Sequence, residues 1–145
     1  MNLQNKNYTS IETSAGQLTI LNTDTGIHSA YFTDTNETPA NHTFVSTIDT
    51  SNLVLSGTDF QINVWHATMQ IPAGKTITYQ ELAQKIGLPQ AFRAVANALG
   101  QNKIAYLIPC HRVIRTDGSL GGYKWGIERK KKLLEFEKQS LKTIQ

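Results

Sequence analysis

The run "IPCHRV" places a thiol, Cys110, directly beside an imidazole, His111, and a guanidinium, Arg112. A free cysteine titrates near about 8.5, so a thiolate at neutral pH needs a neighbouring base, positive charge or amide dipoles. His111 is a candidate base, acting directly or through a water, and a carboxylate on its far side would fix its tautomer. Cys110 is the only cysteine among the 145 residues. An internal disulfide is therefore excluded and no thiolate cluster is available for zinc, so neither a metal nor a cofactor is expected. By itself the Cys-His pair leaves two readings open: an inert small hydrophobe in a core, or a nucleophile.

The candidate carboxylate lies farther along. A helix is expected from about 127 to 141, with Leu133, Leu134, Leu141 and Ile144 as its apolar stripe, and Glu137 projects into the middle of that stripe. An unpaired carboxylate there is costly, which makes Glu137 the natural partner for a histidine. Cys110, His111 and Glu137 would then form a relay for nucleophilic attack. Arg129, Lys131 and Lys132 are read as basic surface, with Glu128 favourable in the first turn.

The elements that must hold these groups divide into two lobes, 1–56 and 57–145. Residues 1–59 carry one lysine against six acids, a net −5, whereas residues 60–145 carry thirteen Lys and Arg against five acids, a net +8. Such a division points to a polyanion bound by part of the molecule. The first lobe reads as β-rich: "GQLTILNT" and "GIHSAYFT" form a hairpin across Asp24-Thr25-Gly26, with further strands at "HTFVSTI" and, more weakly, "NLVLS" and a polar loop at "DTNETPANHT". His28 and His42 have no acid or cysteine at ligand spacing. The opening residues lack signal-peptide character and no span approaches about 18 apolar residues, so a cytoplasmic protein without a membrane association is expected.

In the second lobe a helix should begin near Asp59 and end at "IPAGK". Thr78 and Glu81 make a capping-box pattern for "YQELAQKI", and Gly87 to Pro89 separates that helix from "QAFRAVANALG". This is a helix-turn-helix pattern, which many nonbinding hairpins share. On the second helix Phe92, Val95 and Leu99 are the expected packing face, while Gln90, Arg93 and Asn97 form a polar strip flanked by Ala94 and Ala96. Small flanking residues would allow close approach to a groove, with Arg93 the longest projection.

Residues 57 to 137, through "TYQELA", "RAV", an asparagine at family spacing and "IPCHRV", closely resemble the carboxy-terminal domain of the O6-alkylguanine-DNA alkyltransferases, or methylated-DNA-protein-cysteine methyltransferases, of bacterial type. The resemblance implies an α+β protein: a reduced, β-rich ribonuclease-H-like amino-terminal lobe followed by a helical domain of winged helix-turn-helix type. It implies that Cys110 accepts an alkyl group irreversibly from O6 of a flipped guanine, with His111 the water-linked base and Glu137 its orienting carboxylate. Tyr79 would crowd the 3′ phosphate and assist the leaving oxygen. Arg93 would enter the base stack, with Gln90, Ala94 and Asn97 beside it in the minor groove. Leu99, Cys110, Val113, Tyr123 and Lys124 would line the base pocket, the last where some members carry serine, and Asn102 would be the hinge. The implied partner is double-stranded DNA containing O6-alkylguanine, bound by a monomer with no obligatory protein partner. The neighbouring Arg112 guanidinium, the glycine turn and the lysines are assigned to holding the base and its DNA.

Overall fold

The computed structural model describes residues 6–33, 39 and 41–144. The first lobe is a four-stranded sheet: β1 (Asn7–Thr13), β2 (Gly16–Thr23), β3 (Gly26–Thr33) and β4 (His42–Phe44), in the order β3-β2-β1-β4. β1 and β2 pair antiparallel, as do β2 and β3, whereas β4 runs parallel to β1. The expected β2–β3 hairpin is present. β1 is not among the strands that hydrophobic alternation predicts, because its inward position Ser10 is polar. Its hydroxyl meets Thr19 Oγ1 at 3.3 Å, and Thr19 Oγ1 meets Thr33 Oγ1 at 2.9 Å, so a buried hydroxyl chain crosses three strands with its hydrogen bonds met. Leu18, Ile20, Ile27, Ala30 and Phe32 supply the apolar core of the lobe.

The later strands are smaller than expected. Only His42–Phe44 of "HTFVSTI" is strand, and "NLVLS" contributes a single bridge, Leu53 to Ile27. Most of the polar loop "DTNETPANHT" lies outside the described residues. Among the described residues no helix precedes Asp59.

The second lobe is helical. α1 (Asp59–Met69) and α2 (Tyr79–Lys85) each open on a complete capping box, Thr58 with Gln61 and Thr78 with Glu81, so each satisfies two otherwise orphaned backbone donors locally. α3 (Phe92–Gly100) begins later than its sequence pattern indicates. Gln90 therefore lies in the preceding turn rather than on a helical strip with Arg93 and Asn97. Phe92 is 40% exposed, so the packing face consists of Val95, Ala98 and Leu99 instead. The Trp65 indole donates to the Ala98 carbonyl at 2.9 Å and ties α1 to α3.

Two short strands, β5 (Ile77–Thr78) and β6 (Val113–Ile114), pair in parallel. Their pairing sets the start of α2 beside the 3-10 turn Cys110–Arg112, which β6 follows directly. α4 (Ile127–Ile144) packs against that turn. The lobes are joined through the outer edge of β3: Ala30 N–H donates to the Lys103 carbonyl and Ala105 N–H to the Ala30 carbonyl. No helix among the described residues is long and apolar enough to cross a membrane.

Candidate active site

The turn carrying Cys110 starts after Pro109 and is tight because the Arg112 N–H donates to the Pro109 carbonyl at 3.0 Å. This geometry sends adjacent side chains in different directions. Cys110, 7% exposed, lines a cavity of about 220 Å³ together with Tyr79, Ala96, Leu99, Gly100, Gly122, Tyr123, Lys124 and Trp125. An apolar cavity of about 150 Å³ holds a benzene ring, so this volume has room for a heterocyclic base. His111 is fully buried on the other side of the turn.

Asn102 locks the thiol in place. Its side-chain amide donates to Cys110 Sγ at 3.3 Å and to the Ile104 carbonyl at 3.1 Å, while its carbonyl oxygen accepts from Ile104 N–H at 2.9 Å. The thiol in turn faces the Leu99 carbonyl at 3.9 Å. Burial pushes the Cys110 pKa up to about 12, against the opposing effects of the Asn102 hydrogen bond and the charges of Lys130 and Lys124. At neutral pH the resting group is a protonated thiol, so reaction requires removal of its proton.

His111 Nε2 lies 3.2 Å from both carboxylate oxygens of Glu137. Desolvation lowers the His111 pKa even though Glu137 opposes the change, so the ring is neutral. A neutral ring facing a carboxylate through Nε2 carries its proton there, which leaves Nδ1 as an acceptor. Nδ1 is buried without a hydrogen-bond partner among the described residues. The ring lies between Tyr106, nearly parallel at 6.2 Å, and Tyr123, edge-on at 6.4 Å. Tyr106 adopts φ 69°, an uncommon conformation for a residue with a Cβ, at the position that supplies this stack.

Arg112 corrects an assignment made from sequence. Its guanidinium does not face the cavity: Nε and Nη2 donate to Glu137 at 3.1 and 2.6 Å, and Nη1 donates to the Ile71 carbonyl at 2.7 Å. It is the charge that balances the buried acid. Burial alone would raise the Glu137 pKa, but the hydrogen bonds from His111 and Arg112 outweigh it and bring it to about 2. Glu137 is thus a permanent anion above pH 5, holding an imidazole on one side and a guanidinium on the other.

The cavity walls mix expected and unexpected residues. Leu99, Tyr123 and Lys124 line it as anticipated, whereas Val113 does not: it is fully buried behind the turn and its carbonyl accepts from Lys130 Nζ at 2.7 Å. The Lys124 ammonium bonds the Asn102 carbonyl at 3.1 Å and lies 5.4 Å from the Trp125 ring. The Tyr123 hydroxyl is buried without a hydrogen-bond partner among the described residues, a donor available to a ligand. Gly121 has φ 72°, and a Cβ there would meet the Tyr79 hydroxyl at 2.8 Å, so glycine lets this loop press against Tyr79.

On α3, Ala96 and Gly100 line the cavity, and Arg93 precedes them at i−3 and i−7 on the same face. Arg93, Ala94 and Asn97 are exposed, as is Gln90 in the turn. Arg129, assigned from sequence to the basic surface, is half-buried and lies 4.8 Å over the Phe32 ring. Sequence reasoning misses Ala96, Gly100, Gly122 and Trp125 as lining residues; for the first two, the i+3 and i+7 spacing from Arg93 is the available signal. No group of three or more His, Cys, Asp or Glu able to hold a metal occurs among the described residues.

Residues 59–139 match the family described as 6-O-methylguanine DNA methyltransferase, DNA binding domain. Over 101 residues the chain is 52% identical to the Regulatory protein ada of Salmonella typhimurium, covering 66% of this chain and 29% of that protein. Over 86 residues it is 56% identical to the methylated-DNA--protein-cysteine methyltransferase of Mycobacterium tuberculosis, covering 59% of this chain and 52% of that one. The chain thus spans about half or less of these two curated relatives. Among solved structures, Mycobacterium tuberculosis OGT in complex with DNA superposes with a TM-score of 0.76 at 36% identity, covering 92% of this chain and 93% of that one. S. pombe Atl1 in complex with damaged DNA containing O6-carboxymethylguanine gives 0.51 at 33% identity, covering 57% and 79%.

Proposed function

As a member of the 6-O-methylguanine DNA methyltransferase family, the chain belongs to a group defined around alkylated guanine, and we propose that it repairs O6-alkylguanine in double-stranded DNA by a single irreversible transfer of the alkyl group to Cys110. The observation that carries this reading is the one thiol on a base-sized cavity, backed by a neutral His111 whose Nε2 is held by Glu137. In the duplex the alkyl carbon is out of reach, so the nucleotide must be extruded into the cavity. The thiol proton passes to His111 Nδ1 through a bridging water. Sulfur then attacks the alkyl carbon, the carbon–O6 bond breaks as the thioether forms, and the Tyr79 hydroxyl assists the departing oxygen. The Glu137 anion stabilises the imidazolium that results.

Recognition follows from the same wall. The Cys110 carbonyl and the Tyr123 hydroxyl offer one acceptor and one donor to the purine edge, and Leu99 offers an apolar face. The exposed face of α3 enters the minor groove, where Ala94 permits close approach and Asn97 and Gln90 contact the strand. Arg93 inserts into the stack and fills the space left by the extruded base. The protein acts as a monomer in a reducing, cytoplasmic setting. Residues 57–145 form the DNA-binding and acceptor unit and residues 1–56 its structural lobe, with Asn102 the hinge between recognition helix and thiol.

Intact mass after incubation with duplex DNA containing O6-methylguanine tests the reading. A single methyl adduct on Cys110, saturating at one per protein, is expected. An unchanged mass while the DNA is bound would instead identify a noncatalytic alkylguanine-binding protein, and repeated turnover would identify a hydrolase. For Arg93→Ala, repair of duplex DNA should fall by about tenfold or more, while reaction with free O6-methylguanine base stays within about twofold. Equal losses on the two substrates would refute the intercalating role.

A further inference from the structure

Lys130 is the largest fully buried side chain among the described residues, and no carboxylate among them pairs with it. Its ammonium donates to three backbone carbonyls: Val113 at 2.7 Å, Gly122 at 3.1 Å, and Leu120 at close range. Val113 follows the turn that carries Cys110, whereas Leu120 and Gly122 belong to the loop that forms the opposite wall of the cavity. One ammonium therefore fastens the wall to the turn. All three of its protons are used, and three carbonyls that would otherwise lack this donor are bound at once. The charged and titratable groups facing it are Cys110 and His111 on the turn, Tyr79 at the start of α2, whose ring centroid is 5.8 Å away, and Arg115 after β6.

Keeping an ammonium in such a place is costly to the fold. Burial lowers its pKa from 10.5 to about 8, with Cys110 opposing that change and Arg115 adding to it. A lysine whose pKa is lower in the folded than in the unfolded state reduces stability at every pH below that lowered value. A methionine of similar length would avoid the charge. The three carbonyl bonds of Lys130 offset part of that cost, and their geometry indicates what the lysine does.

We propose that Lys130 is a positioning residue for alkyl transfer: it clamps the cavity wall at 120–122 to the turn bearing Cys110, and it fixes a positive charge beside the thiol. The proposal rests on the alkyl-transfer reading above. It distinguishes Lys130 from Lys131 and Lys132, which are exposed and continue the basic surface.

The experiment compares native protein, Lys130→Met and Lys130→Arg. The native protein is tested first on duplex DNA containing O6-methylguanine; if it forms no adduct, the alkyl-transfer reading itself fails. If it does, Lys130→Met should keep a melting temperature within a few degrees of native and bind undamaged duplex equally, yet transfer at least about tenfold more slowly to both duplex substrate and free O6-methylguanine base. Lys130→Arg, which keeps the charge and donors, should recover part of the rate. A Lys130→Met rate within twofold of native, or a loss that merely tracks unfolding, overturns the proposal. Should that variant not fold, Lys130→Gln, which keeps an amide donor without the charge, decides. Transfer to both substrates at least about tenfold slower than native is expected, and a rate within about twofold of native overturns the proposal.

Discussion

Cys110→Ser should form no alkyl adduct with O6-methylguanine DNA, a loss on the order of 10⁴-fold or more, while its affinity for the same duplex stays within about twofold. Removing the nucleophile from a hydrogen-bonded relay costs up to about 10⁶ in rate. The serine hydroxyl occupies the same position and can still accept from Asn102 and donate to the Leu99 carbonyl. The stability change should therefore be small, about 1 kcal/mol. The binding comparison matters because the Arg93 face of α3 lies on the surface and does not depend on the thiol. Intact mass and a duplex-binding titration on one preparation give both quantities. An adduct on any other residue, or binding lost along with transfer, would contradict the assignment.

Glu137→Gln should affect both rate and fold, and the two effects separate on adding a second substitution. The glutamine presents a neutral amide to His111 and leaves Arg112 without its anion, although Arg112 keeps its bond to the Ile71 carbonyl. Breaking a buried pair by removing one partner costs about 3–5 kcal/mol, and losing the group that orients a general base costs about 10²–10⁴ in rate. In Glu137→Gln with Arg112→Met, no uncompensated charge is left, so much of the stability should return while the rate stays low. If the double variant recovers rate as well, Glu137 serves only the fold.

The acid limb of stability carries the same signature. Glu137 is held at about 2 against an ordinary 4.5, so its contribution is complete above pH 4.5 and is lost as pH falls toward 2. His111 has a folded pKa below its ordinary 6.5, so protons bind the unfolded chain first and stability begins to fall once pH drops below about 6.5. Denaturant titrations between pH 7 and 3 should show native and Glu137→Gln proteins converging as pH decreases.

Much of this site is readable in the sequence because a chemical anomaly marks it. Glu137 stands within an apolar stripe, and a buried acid needs partners; the structure supplies His111 and also Arg112, whose place beside the thiol in sequence suggests a DNA-facing role. Adjacency misleads there because a tight 3-10 turn sends neighbouring side chains to different sides. Lys130 shows the converse. It stands three residues before Leu133 and seven before Glu137, on the same helical face, but a run of four basic residues reads as solvated surface. Only the carbonyls converging from two separate loops make its burial tolerable, and no local pattern encodes that convergence. β1 escapes notice for a related reason: Ser10 is inside, and hydrophobic alternation registers it as outside. The Thr78–Glu81 capping box and the hairpin are legible in the sequence because their signals lie within a few residues.

The bonds between Ala30 and the chain at Lys103 and Ala105 also bear on how the protein avoids aggregation. β3 would otherwise end the sheet with a row of unpaired amides and carbonyls, a template for pairing with another chain. Leu53 and Ile104 each bridge to that margin, and the opposite margin is only the three-residue β4. The segment that follows Asn102 therefore guards the sheet while it holds the thiol. Severing the lobes to obtain a smaller reactive fragment would strip the guard from one piece and the anchorage from the other.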